Sequence, residues 1–389
     1  MNTTPPNGSA RGPLDGLLVA DLSRVLAGPY CSMLLADLGA TVIKVESPDG
    51  DDTRTWSPPE KDGVSTYYLS INRNKQSLVL DFKNADDVAL ARNLLRRADV
   101  ALENFKPGGI EKFGLGYDDV KDDNPGLVYL SISGFGTEGG AALPGYDLVV
   151  QAVSGLMSLT GEPDGPAYRA GISVFDVMTG MHGLIGILAA LHQRSETGRG
   201  QHVKVNLLSS ALSGLVNHSA SFTAAGAVPM RMGNAHPSVY PYQVMPTADR
   251  DVIITAANDR QFRGLCRVLG IEHLADDPRF ERNADRTANR DILHPMLLEA
   301  LSTWGADDLF TALMAAGVPC GPINTIAEGV DLAERLGLEP RVTVGEGDGA
   351  VDLVRNPIRF SDSSIHYHTA PPPLGANSDE LRAWLNSSR

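Results

Sequence analysis

Through the first half of the chain, short runs of branched apolar residues alternate with longer stretches of helical spacing. LLVADL (17–22), TVIKVE (41–46), SLVLDF (77–82), DVALEN (99–104) and LVYLSI (127–132) predict strands. Between them, PYCSMLLADLGA and NADDVALARNLLRRA place apolar residues on one helical face, the first opening on Pro29 and ending at Gly39. This alternation builds β-α-β units around a mostly parallel sheet, so the expected fold class is α/β, doubly wound and Rossmann-like.

From Asp147 the pattern turns helical, through DLVVQAVSGLMSLTG and then DVMTGMHGLIGILAALHQRSETGRG, whose apolar run is broken by glycines that allow close helix packing. HVKVNLL predicts one more strand, and SSALSGLVNHSASFTAAG a small-residue helix able to bridge domains. DVIITAAN (251–258) and DRQFRGLCRVLG (259–270) read as a fresh strand and helix, followed by helices in HPMLLEALSTW and ADDLFTALMAAG. The expected organisation is a large α/β domain over 1–205, a linker helix over 206–228, a smaller α+β domain over 229–325, and a return segment over 326–389 that packs on the large domain.

Composition narrows the class. A chain of 389 residues, 42% hydrophobic and 21% charged, can bury a large core and suits two domains. With 33 basic against 47 acidic residues and a net charge of −14, and no Lys/Arg run, nucleic acid is excluded as a partner. The opening MNTTPPNGSARGPLDG has no basic n-region or apolar h-region and reads as a short disordered lead-in. No later apolar stretch approaches the ~20 residues that cross a bilayer, so no membrane partner is expected. Cys31, Cys266 and Cys320 are far apart and odd in number, which argues against disulfides or a thiolate metal site and fits a reducing cytoplasm.

Gly134 to Gly139 match G-x-G-x-x-G after a predicted strand, but GAALPGYD follows where a dinucleotide loop would open a helix. The segment reads as a glycine-rich turn that lets a backbone lie against some other ligand. P-loop, H-E-x-x-H and G-x-S-x-G motifs are all absent, and His182 and His192 read as packing or surface residues, so no metal is expected. Asp147 stands where the LPGY turn gives way to a helix over 148–158. It is either an N-cap carboxylate or a nucleophile held ionised by the helix N-terminus. Asp176 opens the next helix in the same way, with the stronger claim to be only a cap.

The runs GYDLVVQAVSGLMSLTG and DVMTGMHGLIGILAALHQRSETGRGQHVKVNLL resemble the central signature of the class III CoA-transferases, the formyl-CoA and carnitine CoA-transferase family. DLSRVLAGPYCSMLLADLGATVIKVE, INRNKQSLVLDFK, ENFKPGGIEKFGLGY and GNAHPSVYPYQ extend the likeness, in order, from Leu17 to about Ile326. The resemblance implies an acyl-CoA:carboxylate CoA-transferase with Asp147 as nucleophile, working through an anhydride and an aspartyl-CoA thioester. Backbone N–H groups near Gly134 and Gly136, or at the start of the helix after Asp147, are the expected oxyanion donors. Coenzyme A contacts carry over onto Val25, Leu26, Ala27, Leu80, Asp81, Phe82, Lys83, Asn104, Phe105, Lys106, Lys112, Ser133, Gly134, Phe135 and Gly136.

Acyl-CoA and a small carboxylic acid are then substrates, with no tightly bound cofactor, and the enzyme is an interlocked homodimer. Leu26 and Ser47 replace a glutamine and an arginine of the oxalate-acting family member, and its tetraglycine loop is missing, which points away from oxalate or formate. The sequence does not specify which acids are used: Arg169, Arg231 and His236 either meet a second carboxylate of a dicarboxylic substrate or serve surface and structural roles, and a succinyl-type donor is one option. The related α-methylacyl-CoA racemases carry a histidine where this chain has Tyr146 and pair it with an acid corresponding to Asp176. A phenol is a poor substitute for imidazole as the base, so transfer is favoured. A non-catalytic acyl-CoA-binding protein is the remaining alternative.

Overall fold

The structure is a computed structural model that describes residues 12–387, so the expected lead-in lies outside the described residues up to Arg11. It divides into two compact units. One holds the described residues up to Ser154, Ala170–Ala227, and those from Glu339 onward; the other holds Gly155–Arg169 and Val228–Leu338.

In the first unit, six parallel strands form one sheet: β1 (Leu18–Asp21), β2 (Thr41–Glu46), β3 (Lys75–Val79), β4 (Val100–Glu103), β5 (Val128–Ser133) and β6 (His202–Asn206), in the order β3-β2-β1-β4-β5-β6. Val19 of β1 pairs with Val42 on one side and Val100 on the other. This doubly wound order reverses direction between β1 and β4, and such a switch point opens a crevice at the carboxyl ends of the strands. The third strand starts two residues before the predicted 77–82 run because buried Lys75 belongs to it. Its ammonium donates to Asp21 (3.2 Å), the Asn72 amide oxygen (2.9 Å) and the Pro29 carbonyl (2.9 Å), and burial pulls it down to about 8. A buried lysine with partners is invisible to an apolar pattern.

Helix α1 (Ala27–Asp37) follows β1, and α2 (Ala85–Arg97) follows β3. The C-terminal helix Ser378–Asn386 brings Leu381 and Leu385 into the cluster of Leu90 and Leu94, while Asn377 and Ser378 accept from the N–H groups of Ser77 and Val79. The predicted helix over 148–158 is shorter: α3 covers Asp147–Val153, and Gly155 at φ +99° turns the chain. The expected single helix near 206–228 is two helices, Leu207–Gly214 and Val216–Ala225, and both lie within the first unit.

Helix α4 (Val174–Thr197) corrects the expectation that no apolar stretch is long enough to cross a membrane. At 24 residues it is long and apolar enough by length and composition. Glycines that interrupt the apolar run in sequence do not interrupt the helix; they set its packing. A Cβ on Gly180 would stand 2.6 Å from the Ala27 carbonyl, and one on Gly186 would stand 2.6 Å from a Val203 methyl.

The second unit is built on an antiparallel sheet of Tyr242–Pro246, Asp251–Thr255 and Cys320–Pro322, with Asp251–Thr255 in the middle. Its core joins Phe262 and Leu265 of helix Asp259–Leu269 to Leu293, Leu297 and Leu309.

Candidate active site

Two aspartates in the first turns of α3 and α4 share one site. Tyr146 is the N-cap of α3, so Asp147 is the first helical residue and no side chain caps α3. One Asp147 oxygen accepts from the N–H groups of Phe175 (2.7 Å) and Asp176 (3.1 Å), the second and third residues of α4. The other accepts from the Gln151 amide, which is itself fixed by the Ile172 carbonyl (3.1 Å) and the Ala170 N–H (2.8 Å). A carboxylate there satisfies orphan helix N–H groups and faces the favourable end of the helix dipole. The capping role expected of Asp147 exists, but it serves the neighbouring helix.

Asp176 has the opposite environment. Among the described residues no donor reaches its carboxylate, which stays partly exposed. Burial, and after it the charge of Asp147, push the carboxyl up to about 7. The Tyr67 phenol, bonded to the Ser173 side chain, stands close by and is itself pushed up by burial and by Asp176. Tyr146 is 59% exposed.

The glycine-rich turn packs backbone on backbone against the segment leading to Asp147. A Cβ on Gly134 would lie 2.4 Å from the Gly145 Cα, so neither position admits a side chain without movement. Gly136, at φ +82°, donates its N–H to the Ser133 hydroxyl (3.1 Å), and that donor is therefore already committed.

Some of the residues expected to meet coenzyme A line two hollows, while Val25, Leu26, Ala27, Asn104, Lys112, Gly134 and Phe135 line neither. A cavity of about 240 Å³ at the carboxyl ends of β1, β2 and β3 is lined by Leu80, Asp81, Phe82, Lys83 and Phe105, with Lys44, Asp51 and Phe113. Phe82 stacks near Phe105 (6.4 Å between ring centres) and packs tilted against Phe113 (5.3 Å), giving an apolar wall. Lys106, Ser133 and Gly136 line a second cavity of about 170 Å³, which shares Phe105 with the first. Lys112 is exposed, one residue before Phe113. Leu26 and Ala27 are buried, so their side chains face inward. The Asn104 amide is spent on the backbone of Arg24, accepting from its N–H (3.0 Å) and donating to its carbonyl (2.7 Å).

Sequence reasoning missed Glu103, Ser131 and His202, which line the second cavity. Burial raises the Glu103 carboxyl to about 7, and its oxygen accepts from the Phe105 N–H (2.8 Å). Ser131 bonds the His202 ring at 2.9 Å, and burial, with Lys204 beside it, lowers the imidazole to about 4, so it is neutral at pH 7. It also missed Lys44 and Asp51. A lone lysine inside the apolar TVIKVE was the available signal. Arg231 and His236 lie in the second unit, where the Arg231 guanidinium donates to the Glu162 carbonyl (3.2 Å) and His236 accepts from the Ser238 N–H (3.1 Å). Arg169 belongs to that unit too. His182 bonds Ser210 at 3.0 Å, and among the described residues no group of three His, Cys, Asp or Glu is placed to hold a metal.

Residues 14–378 match the family described as CoA-transferase family III. The chain is 43% identical to a succinate–glutarate CoA-transferase of Agrobacterium fabrum, covering 96% of both proteins. It is 40% identical to an acetyl-CoA:oxalate CoA-transferase of Acetobacter aceti, over 98% of this chain and 97% of that one. Among solved structures, a CAIB/BAIF family protein from Brucella suis superposes with a TM-score of 0.87 at 42% identity, covering 97% of this chain and all of that one. The doubly wound sheet, the crevice at its switch point and these matches agree: the chain belongs to CoA-transferase family III and is an enzyme that transfers coenzyme A.

Proposed function

We propose that this enzyme moves CoA from a short dicarboxylyl-CoA, of the succinyl type, to a small dicarboxylic acid, with Asp176 as the covalent nucleophile and Asp147 as the residue that positions it. Named relatives support the substrate class, since they include transferases for succinate and glutarate and for mesaconate. The observation that carries the mechanism is the contrast in hydrogen bonding: three donors occupy the Asp147 carboxylate, and none among the described residues occupies that of Asp176. Each hydrogen bond withdraws electron density from a carboxylate oxygen and blocks approach along that lone pair, so we place the nucleophile on Asp176 and not on Asp147, the residue the resemblance implied.

Asp176 attacks the thioester carbonyl and expels CoA thiolate, leaving a mixed anhydride. The thiolate then attacks the aspartyl carbonyl, releases the donor acid and leaves an aspartyl-CoA thioester. The acceptor carboxylate attacks that thioester, expelling CoA thiolate and forming a second mixed anhydride; the thiolate then attacks the acceptor acyl carbonyl of this anhydride, giving the acceptor acyl-CoA and releasing the Asp176 carboxylate. Near neutral pH a carboxyl poised at about 7 is partly ionised and more basic than an ordinary carboxylate, which favours attack. The Gly134 N–H is the remaining oxyanion donor of the two glycines. Incubation with succinyl-CoA, followed by intact-mass and peptide analysis, should place the adduct on Asp176. Deuterium wash-in at the α-carbon without CoA exchange would instead indicate a racemase.

The dimer expected from the family fits the surface of the first unit. Met181, Ile185 and Leu188 form an exposed apolar stripe on α4, joined by exposed Leu148, Val149 and Val153 of α3. We assign this face to a second copy of the chain, and expect a sedimenting mass twice that of one chain, reduced by Ile185→Lys. The free thiols of Cys31, Cys266 and Cys320 suit the cytoplasmic location that we also assign.

A further inference from the structure

The segment between β1 and α1 is held in an unfavourable conformation by side chains from three other places. Val25 has φ +69°, the left-handed region, where a β-branched residue is an outlier. Its N–H points between the two oxygens of Asp51, at 3.3 and 3.2 Å. The residue before it, Arg24, has both backbone groups taken by the Asn104 amide, and the Ser23 carbonyl accepts from the Lys44 ammonium at 2.9 Å. Lys44 also donates to Asp51 at 2.8 Å, with side-chain exposures of 0% and 1% for the pair. Asp51 is fixed in turn by the Thr53 N–H (3.0 Å) and hydroxyl (2.7 Å), and its own N–H donates to Glu46 (3.1 Å).

A buried ion pair is a weak source of stability, because removing two charges from water costs about as much as their attraction returns. The arrangement does have a geometric consequence. Consecutive backbone groups of Ser23, Arg24 and Val25 are pinned beside the 240 Å³ cavity that Lys44, Asp51, Ser23 and Arg24 help to line. We propose that Lys44 and Asp51 are positioning residues for CoA: the pair holds Val25 in its left-handed conformation, so that the Val25–Ala27 backbone is set for the thioester-bearing ligand before it arrives. Asn104 acts with them on Arg24. The inference rests on the reading that this segment meets CoA.

Pre-organisation of this kind shows in binding more than in the chemical step. Asp51→Ala frees Val25 to leave the strained region, and restoring the strain on binding should weaken the calorimetric Kd for CoA about tenfold. The KM for the acyl-CoA should rise with it, while the KM for the acceptor acid stays unchanged. Glycine takes positive φ without penalty, so Asp51→Ala combined with Val25→Gly should recover most of the lost affinity. A merely structural pair would lower the melting temperature of Asp51→Ala and leave the Kd for CoA unaltered, and that result would overturn the proposal, as would failure of Val25→Gly to rescue. If Asp51→Ala does not fold, Asp51→Ser, whose shorter side chain withdraws the acceptor from the Val25 N–H, must show the same loss and the same rescue by Val25→Gly. Wild-type protein that binds CoA but transfers none would sink the proposed transfer reaction, yet the Kd comparison would still decide this one.

Discussion

Asp147 and Asp176 occupy nearly the same place in two helices, each in the first turn, and yet their surroundings are opposite. Asp147 spends its oxygens on Gln151 and on two N–H groups of α4, which makes it a rigid anchor for the start of that helix. Asp176, whose own N–H helps to bind Asp147, keeps its carboxylate free and raised to about 7. The difference shows how a fold raises a carboxyl and leaves it without donors. It buries the group part-way, puts a like charge next to it, and lets the neighbour absorb the donors that would otherwise quiet it.

That contrast can be broken most sharply by substitution. Asp176→Ala is expected to abolish the covalent adduct and to cut transfer by at least about 10³-fold, the scale on which loss of a nucleophile acts. Asp147→Asn keeps the shape of the anchor and should cost less, about 10–100-fold in kcat, with the adduct still forming on Asp176. If Asp147→Asn loses the adduct and Asp176→Ala keeps it, the assignment of roles is reversed.

A smaller effect sharpens the same comparison through pH. Since the reacting form is the ionised Asp176, kcat/KM should fall tenfold per pH unit below about 7. Burial, the larger cause, remains in Asp147→Asn, but the repelling charge is gone, so the acid limb should move to lower pH. An unmoved limb would mean that the two groups do not interact. The smallest effect is on stability. The folded carboxyl of Asp176 is raised above its unfolded value, so the unfolded chain ionises first, and stability is lost as pH rises from about 4 towards 7. Asp176→Asn removes that loss. It should stabilise the protein at pH 8 by roughly 1–3 kcal/mol, allowing for partial exposure, and by little at pH 4, as read from denaturant midpoints.

Much of the fold was legible because its determinants are local. Alternating short apolar runs and helical faces carry the β-α-β pattern, and all six strands of the large sheet lie where the sequence places them to within a few residues. The glycine turn was also legible as a place of close approach, and Gly134 against Gly145 shows why. Elements that depend on partners were harder to read. Lys75 sits in a strand because Asp21 and Asn72 receive its ammonium, and α4 runs unbroken through its glycines because the backbones of α1 and the sheet come close there.

The sequence by itself determined the fold class, the doubly wound order of elements, and the likeness that leads to CoA transfer, since periodicity and ordered motifs survive without coordinates. It also brought both aspartates into view. Which of them keeps a carboxylate without donors was decided only by tertiary structure, because hydrogen bonding to Phe175, Asp176 and Gln151 depends on where α3 meets α4 in space. The same is true of Lys44 and Asp51. A buried lysine in a strand is a letter in the sequence, and becomes a brace for Val25 only when the fold closes around it.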